Sequence, residues 1–80
     1  MTTTTLEVLV LGPNRPLFEG RASHVIFPGE QGTFEVGPFH RPIVSRLLPG
    51  VMVIDNEELP IQRGVVKVER NRVTALVEPA

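Results

Sequence analysis

Two histidines, His24 and His40, and two serines, Ser23 and Ser45, are the side chains of this 80-residue chain with the readiest chemistry. The histidines fall in separate elements, without the close pairing on one helix or hairpin that a metal site uses, so metal ligation is not expected. Neither serine lies in a Gly-x-Ser-x-Gly elbow, and neither has a base and an orienting acid to complete a triad. The carboxylates Glu57 and Glu58 are consecutive; in a strand they point to opposite faces and cannot flank one substrate. Gly29-Glu30-Gln31-Gly32 has two glycines but no following Gly-Lys-Ser/Thr and no helix to present amides to a phosphate, which leaves a turn between strands. With Cys 0, there is no thiolate nucleophile, zinc cluster or disulfide. No catalytic, cofactor-binding or metal-binding set emerges, and the chain is expected to act by contact.

The elements that would position these residues are short. Eight Pro and seven Gly cut the chain into pieces of strand length. Apolar and β-branched stretches occupy Leu6–Leu11 and residues 17–19, 22–27, 33–36, 43–48, 51–54, 57–62, 65–69 and 73–78. Leu6, Val8 and Val10 alternate onto one face, as do Val66 and Val68, and Val73, Ala75 and Val77. Asp55-Asn56 and Arg70-Asn71 read as two-residue hairpin turns, because Asn and Asp tolerate positive φ. Short antiparallel strands with a face to bury and no covering helix predict an all-β domain, a two-sheet sandwich in preference to a closed barrel. His24 is placed in the strand over 22–27, beside Ala22 and Ile26. His40 sits in the dense loop Gly37-Pro38-Phe39-His40-Arg41-Pro42, where it either hydrogen-bonds the backbone to hold the turn or makes a surface contact.

Eight Lys+Arg against nine Asp+Glu give a net charge of −1, which offers no attraction to a polyanion and argues against a nucleic-acid ligand. The basic cluster Arg63, Lys67, Arg70 and Arg72 is interleaved with Glu69 and Glu78 and reads as a salt-bridged, solvated face. No apolar run approaches the roughly 18 residues of a membrane span. Residues 1–5 form a polar lead-in, read as disordered; residues 6–78 form one domain. The alternative from another class is a free-standing, OB-like β-barrel module for single-stranded nucleic acid or peptide, but its stacking aromatics are lacking.

The segment Pro28-Gly29-Glu30-Gln31-Gly32-Thr33-Phe34-Glu35-Val36-Gly37-Pro38-Phe39-His40-Arg41-Pro42 resembles the epsilon subunit of bacterial and chloroplast rotary ATP synthases, called delta in mitochondria. The family's order of motifs continues through Phe18-Glu19-Gly20, Leu47-Leu48-Pro49-Gly50, Gly64 and the last strand from Val73 to Glu78. Three features depart from its pattern. Phe39 stands where Gly is usual before the loop histidine, with Arg41 where a small residue is usual after it; Arg63-Gly64 replaces a Gly-Gly; and the family's C-terminal helical hairpin does not follow the last strand.

The resemblance implies a sandwich of about ten strands at the foot of the central stalk, a non-catalytic rotor subunit that binds gamma with one surface and the c-subunit ring with another. It would couple proton flow to the catalytic head from the cytoplasmic side of the membrane, as a peripheral component. It puts Glu30, Gln31, Gly32, Thr33, Phe39, His40, Arg41 and Pro42 against the ring. Without the helical hairpin, neither inhibition of hydrolysis nor nucleotide binding is expected. The core is expected to hold Val8, Val10, Phe34, Val36, Val66, Val68, Val73 and Val77.

Overall fold

A computed structural model describes residues 4–80. The chain runs through eight strands: β1 (Leu6–Leu11), β2 (Pro16–Ala22), β3 (Val25–Gly29), β4 (Gly32–Val36), β5 (Ile43–Leu47), β6 (Gly50–Ile54), β7 (Glu57–Glu69) and β8 (Arg72–Pro79). The strand count among the described residues is therefore eight rather than nine or ten, because the stretches 57–62 and 65–69 belong to one strand. β7 continues through a bulge between Ile61 and Arg63, and that irregularity lets one strand serve two sheets. Its first half pairs β6, Gly50↔Ile61 to Ile54↔Glu57. Its second half pairs β5, Leu47↔Gly64 to Ile43↔Val68. One layer thus runs β4-β3-β6-β7, and the other runs β5-β7-β8-β1-β2.

Among the described residues all pairings are antiparallel except one. β1 lies parallel to β8, Glu7↔Arg72 to Leu11↔Leu76, joining the two ends of the domain. The alternation in the sequence determines what each layer turns inward. Leu6, Val8 and Val10, with Val66, Val68, Val73, Ala75 and Val77, meet Val25, Phe27, Val36, Met52 and Ile54 of the opposite layer in one continuous core. Every one of these is 5% exposed or less, and burying each aliphatic side chain stabilises the fold by about 1.5–3 kcal/mol.

The expected core residues Val8, Val10, Val36, Val66, Val68, Val73 and Val77 lie there. Phe34 is a correction: it is half-buried and packs against the core from its edge. It lies directly opposite Phe27 in the β3–β4 hairpin, with ring centroids 5.3 Å apart. Its free side is open because, among the described residues, no strand pairs the outer edge of β4. The ring also lies across Gly29, where a Cβ would come within 2.7 Å of it.

Turn chemistry follows the sequence at the two hairpins. Asp55 takes φ 53 between β6 and β7, and Arg70 and Asn71 take φ 52 and 59 between β7 and β8. At the β3–β4 turn the left-handed position falls to Gly32, at φ 111, where a side chain would be strained.

His24 is a second correction, since it lies in the link between β2 and β3 rather than in a strand. The polar lead-in falls partly outside the described residues. Its last member, Thr5, is half-buried, and its hydroxyl accepts a hydrogen bond from the Arg21 guanidinium at 3.3 Å.

Candidate interaction surfaces

The β3–β4 turn and the loop between β4 and β5 stand on either side of a groove of about 770 Å³, floored by β5. β5 pairs with β3 in register at Gly29↔Leu47 alone, so the two layers part here. Glu30, Gln31, Gly32, Thr33, His40 and Arg41 all line this groove. Six of the eight residues assigned to one partner from the sequence are therefore brought together, although the two loops are separated along the chain. Glu30 approaches Arg46 of β5 at 3.9 Å across its floor. The other two stand apart: Pro42 is exposed just before β5, and Phe39 points its backbone amide at Asn71 of the β7–β8 turn.

His40 does the structural work open to it. Its Nδ1 lies 2.7 Å from the Arg41 carbonyl, which can only accept, so Nδ1 carries the proton and donates. Its backbone amide donates to the Gly37 carbonyl at 3.3 Å. The imidazole is thereby fixed against its own loop.

A second surface was not read from the sequence. Register places Arg46, Val65, Leu76 and Leu11 side by side on the outer face of the β5-β7-β8-β1 layer. The neighbouring rung is Val44, Lys67, Thr74 and Leu9. Val44 is 72%, Leu76 52% and Val65 37% exposed. With Leu48, Pro49 and Pro13, the first rung borders a groove of about 630 Å³. The signal for this face is present in the sequence. Ile43-Val44, Val65-Val66 and Leu76-Val77 are adjacent apolar pairs, and in a strand adjacent residues point to opposite faces. Each pair thus declares an apolar outer face as well as an inner one.

Charged rungs bound this band. At one end, Arg72 reaches Glu7 at 3.2 Å, Arg21 reaches Glu7 at 3.6 Å and Lys67 reaches Glu69 at 3.0 Å. At the other, Arg63 pairs with Glu78. The Lys67 ammonium holds the Glu69 carboxyl below its ordinary pKa, and the Arg63 guanidinium does the same for Glu78. Three of the four residues of the basic cluster thus belong to the salt-bridged face that their spacing predicts.

The remaining polar residues have local duties. The Ser45 hydroxyl donates to the Arg46 carbonyl at 3.0 Å, and Glu57 and Glu58 are both exposed. The Asp55 carboxylate accepts the backbone amides of Ser23 and His24 at 2.9 and 3.2 Å, with the His24 ring nitrogen 3.6 Å away. Ser45 lines the first groove together with His40 and Glu30, but its hydroxyl is bonded to the Arg46 carbonyl.

A two-layer β-sandwich whose surfaces are built for contact is the class of protein these features define. Residues 5–80 match the family described as ATP synthase, Delta/Epsilon chain, beta-sandwich domain, and the chain belongs to that family. It is similar to the ATP synthase epsilon chain of a Nitratiruptor species, 41% identical with 95% of this chain and 63% of that one covered. It is also similar to the epsilon chain of Bordetella parapertussis, 33% identical, with 95% and 58% covered. The chain thus spans about 60% of the length of these relatives.

Two cryo-EM structures share the fold. A chain from the central stalk/c-ring of the Tetrahymena thermophila mitochondrial ATP synthase superposes with a TM-score of 0.77 at 17% identity, over 98% of this chain and 66% of that one. One from the OSCP/F1/c-ring of the Euglena gracilis mitochondrial ATP synthase superposes with 0.84 at 15% identity, over 91% and 50%.

Proposed function

We propose that this chain is the sandwich portion of a non-catalytic central-stalk subunit of a proton-translocating ATP synthase, carrying torque between the c-subunit ring and gamma. The observation that supports this reading is the pair of unlike surfaces on one packed body. The groove between residues 29–33 and 38–42 is edged by loops and sets the charged Glu30, Arg41 and Arg46 beside Ile43 and Val44, suited to the polar loops of a ring at the membrane surface. The face carrying Val44, Val65, Leu76 and Leu11 is the more apolar of the two, with Arg46 and Lys67 set among them, and is suited to a lasting contact with gamma. The two adjoin at Arg46 and Val65, which border both grooves. A single core behind both means that force applied at one is passed to the other through close-packed side chains rather than through a hinge. The subunit would sit peripherally at the membrane; the described residues contain no helix long and apolar enough to cross it.

Site-directed crosslinking in the assembled synthase tests both assignments. Probes at Thr33 and His40 are expected to capture the c subunit, and probes at Val65 and Leu76 to capture gamma. Thr33 and His40 crosslinking only to gamma, or to nothing, would show that the ring lies elsewhere.

A further inference from the structure

Phe39 is the most exposed large apolar side chain among the described residues, at 80%, and it sits at φ 66. Left-handed backbone is unfavourable for a residue with a bulky side chain, and it persists only where the surroundings impose it. Here the imposing group is Asn71, whose Oδ1 accepts the Phe39 amide at 2.6 Å. Asn71 is itself in the left-handed region, at φ 59 in the β7–β8 turn. Two left-handed positions from turns 32 residues apart are therefore tied to each other, and Phe39, the one for which that backbone is unfavourable, carries its ring into solvent.

The residues next to Phe39 in its loop and next to Asn71 in the facing turn give this site a chemical preference. Arg41 follows two residues on, and Arg70 immediately precedes Asn71. Both are exposed, and neither forms an ion pair among the described residues. The carboxylate nearest in sequence, Glu69, is engaged by Lys67 at 3.0 Å.

We propose that Phe39, clamped by Asn71 and flanked by Arg41 and Arg70, is an anchor for a protein surface that offers an apolar socket rimmed by carboxylates. The anchor rests on the reading that the loop over residues 38–42 meets the c-subunit ring, and it specifies the chemistry of the ring surface this chain selects. Preorganisation is the reason to build it under strain: a loop backbone already held in place by Asn71 loses less freedom on docking than one that must be ordered. Aromatic and arginine side chains are the residue types that most often dominate binding energy at interfaces.

Binding of the purified chain to detergent-solubilised c-ring from the same synthase, followed by biolayer interferometry over a salt series, tests this. Phe39→Gly removes the ring and suits the left-handed backbone. It is expected to melt within about 3 °C of wild type and to bind at least about tenfold more weakly. Phe39→Asn, which also tolerates that backbone, is expected to behave alike and keeps the test available should the glycine variant fold poorly. Asn71→Gly retains the turn but removes the acceptor, and is expected to weaken binding several-fold with Phe39 still present. Replacing Arg41 and Arg70 together by Gln is expected to flatten the salt dependence. Wild-type affinity in both Phe39 variants overturns the anchor and leaves the ring assignment standing. A wild-type chain that binds gamma but not the ring overturns the ring assignment, and the anchor with it.

Discussion

The Asp55 carboxylate, in the turn between β6 and β7, accepts the backbone amide of Ser23, in the link between β2 and β3, at 2.9 Å. The same oxygen takes the His24 amide at 3.2 Å, and the Asp55 amide returns a bond to the His24 carbonyl at 3.1 Å. One side chain thus closes a corner between segments that are remote in sequence. Asp55→Ala leaves two amides without their acceptor and puts alanine at φ 53. A loss of about 1–3 kcal/mol is expected. Asp55→Asn keeps an acceptor oxygen and a residue tolerant of that φ, and should lose less than half as much. Urea unfolding of the two variants checks this; equal losses would show that the charge matters more than the bonds.

Phe27 and Phe34 face each other in one hairpin but differ in burial, 0% exposed against half-buried. Phe27→Ala is expected to destabilise by about 3–5 kcal/mol, leaving a cavity in the centre of the sandwich. Phe34→Ala is expected to lose only about 2 kcal/mol, because part of its ring is already in water. Denaturant midpoints at constant slope measure the difference.

Gly64 and Gly37 make a paired test of close packing. A Cβ at Gly64 would lie 2.6 Å from the Leu76 carbonyl oxygen, a backbone atom that cannot swing away, whereas one at Gly37 meets nothing within 4 Å. Gly64→Ala is expected to cost about 1–3 kcal/mol. Gly37→Ala is expected to be neutral or to stabilise by a few tenths of a kcal/mol, through the lower entropy of the unfolded chain. Thermal melts of the two variants side by side would show it.

Acid should weaken the salt-bridged edges of the outer face. Glu69 and Glu78 have folded-state pKa values depressed below the ordinary 4.5 by Lys67 and Arg63. A group whose pKa is lowered on folding adds stability that is in place above its unfolded value and is lost as pH falls through the folded one. The melting temperature is therefore expected to fall on acidification below about pH 4.5, and to fall less steeply in a Glu69→Gln, Glu78→Gln double variant. Because both carboxylates are on the surface, high salt should reduce the effect. An unchanged pH profile in the double variant would assign acid sensitivity to other carboxylates.

Much of this was legible along the chain because its causes are local. Leu6, Val8 and Val10 alternate, so one face of β1 had to be buried whatever it packed against. Asp55-Asn56 and Arg70-Asn71 carry turn chemistry within two residues, so the two hairpins followed from residue type alone. The order of the motifs from Phe18-Glu19-Gly20 to the last strand likewise carried the family resemblance, and the match over residues 5–80 supports it.

What the linear order could not decide was everything set by partners distant in sequence. The parallel contact of β1 with β8 joins residues about 65 apart, and no local preference announces a parallel pair. Residues 57–69 look like two strands, but they form one because each half finds a different sheet to complete. His24 left its expected strand because the Asp55 carboxylate captures the backbone there. Phe34 is half-buried because β4 is an edge, which is a property of the sheet order rather than of the residue. The strain at Phe39 exists only because Asn71 is folded against it. Local pattern determines which way side chains face; the pairing of remote strands determines which of those faces meet core, solvent or a partner.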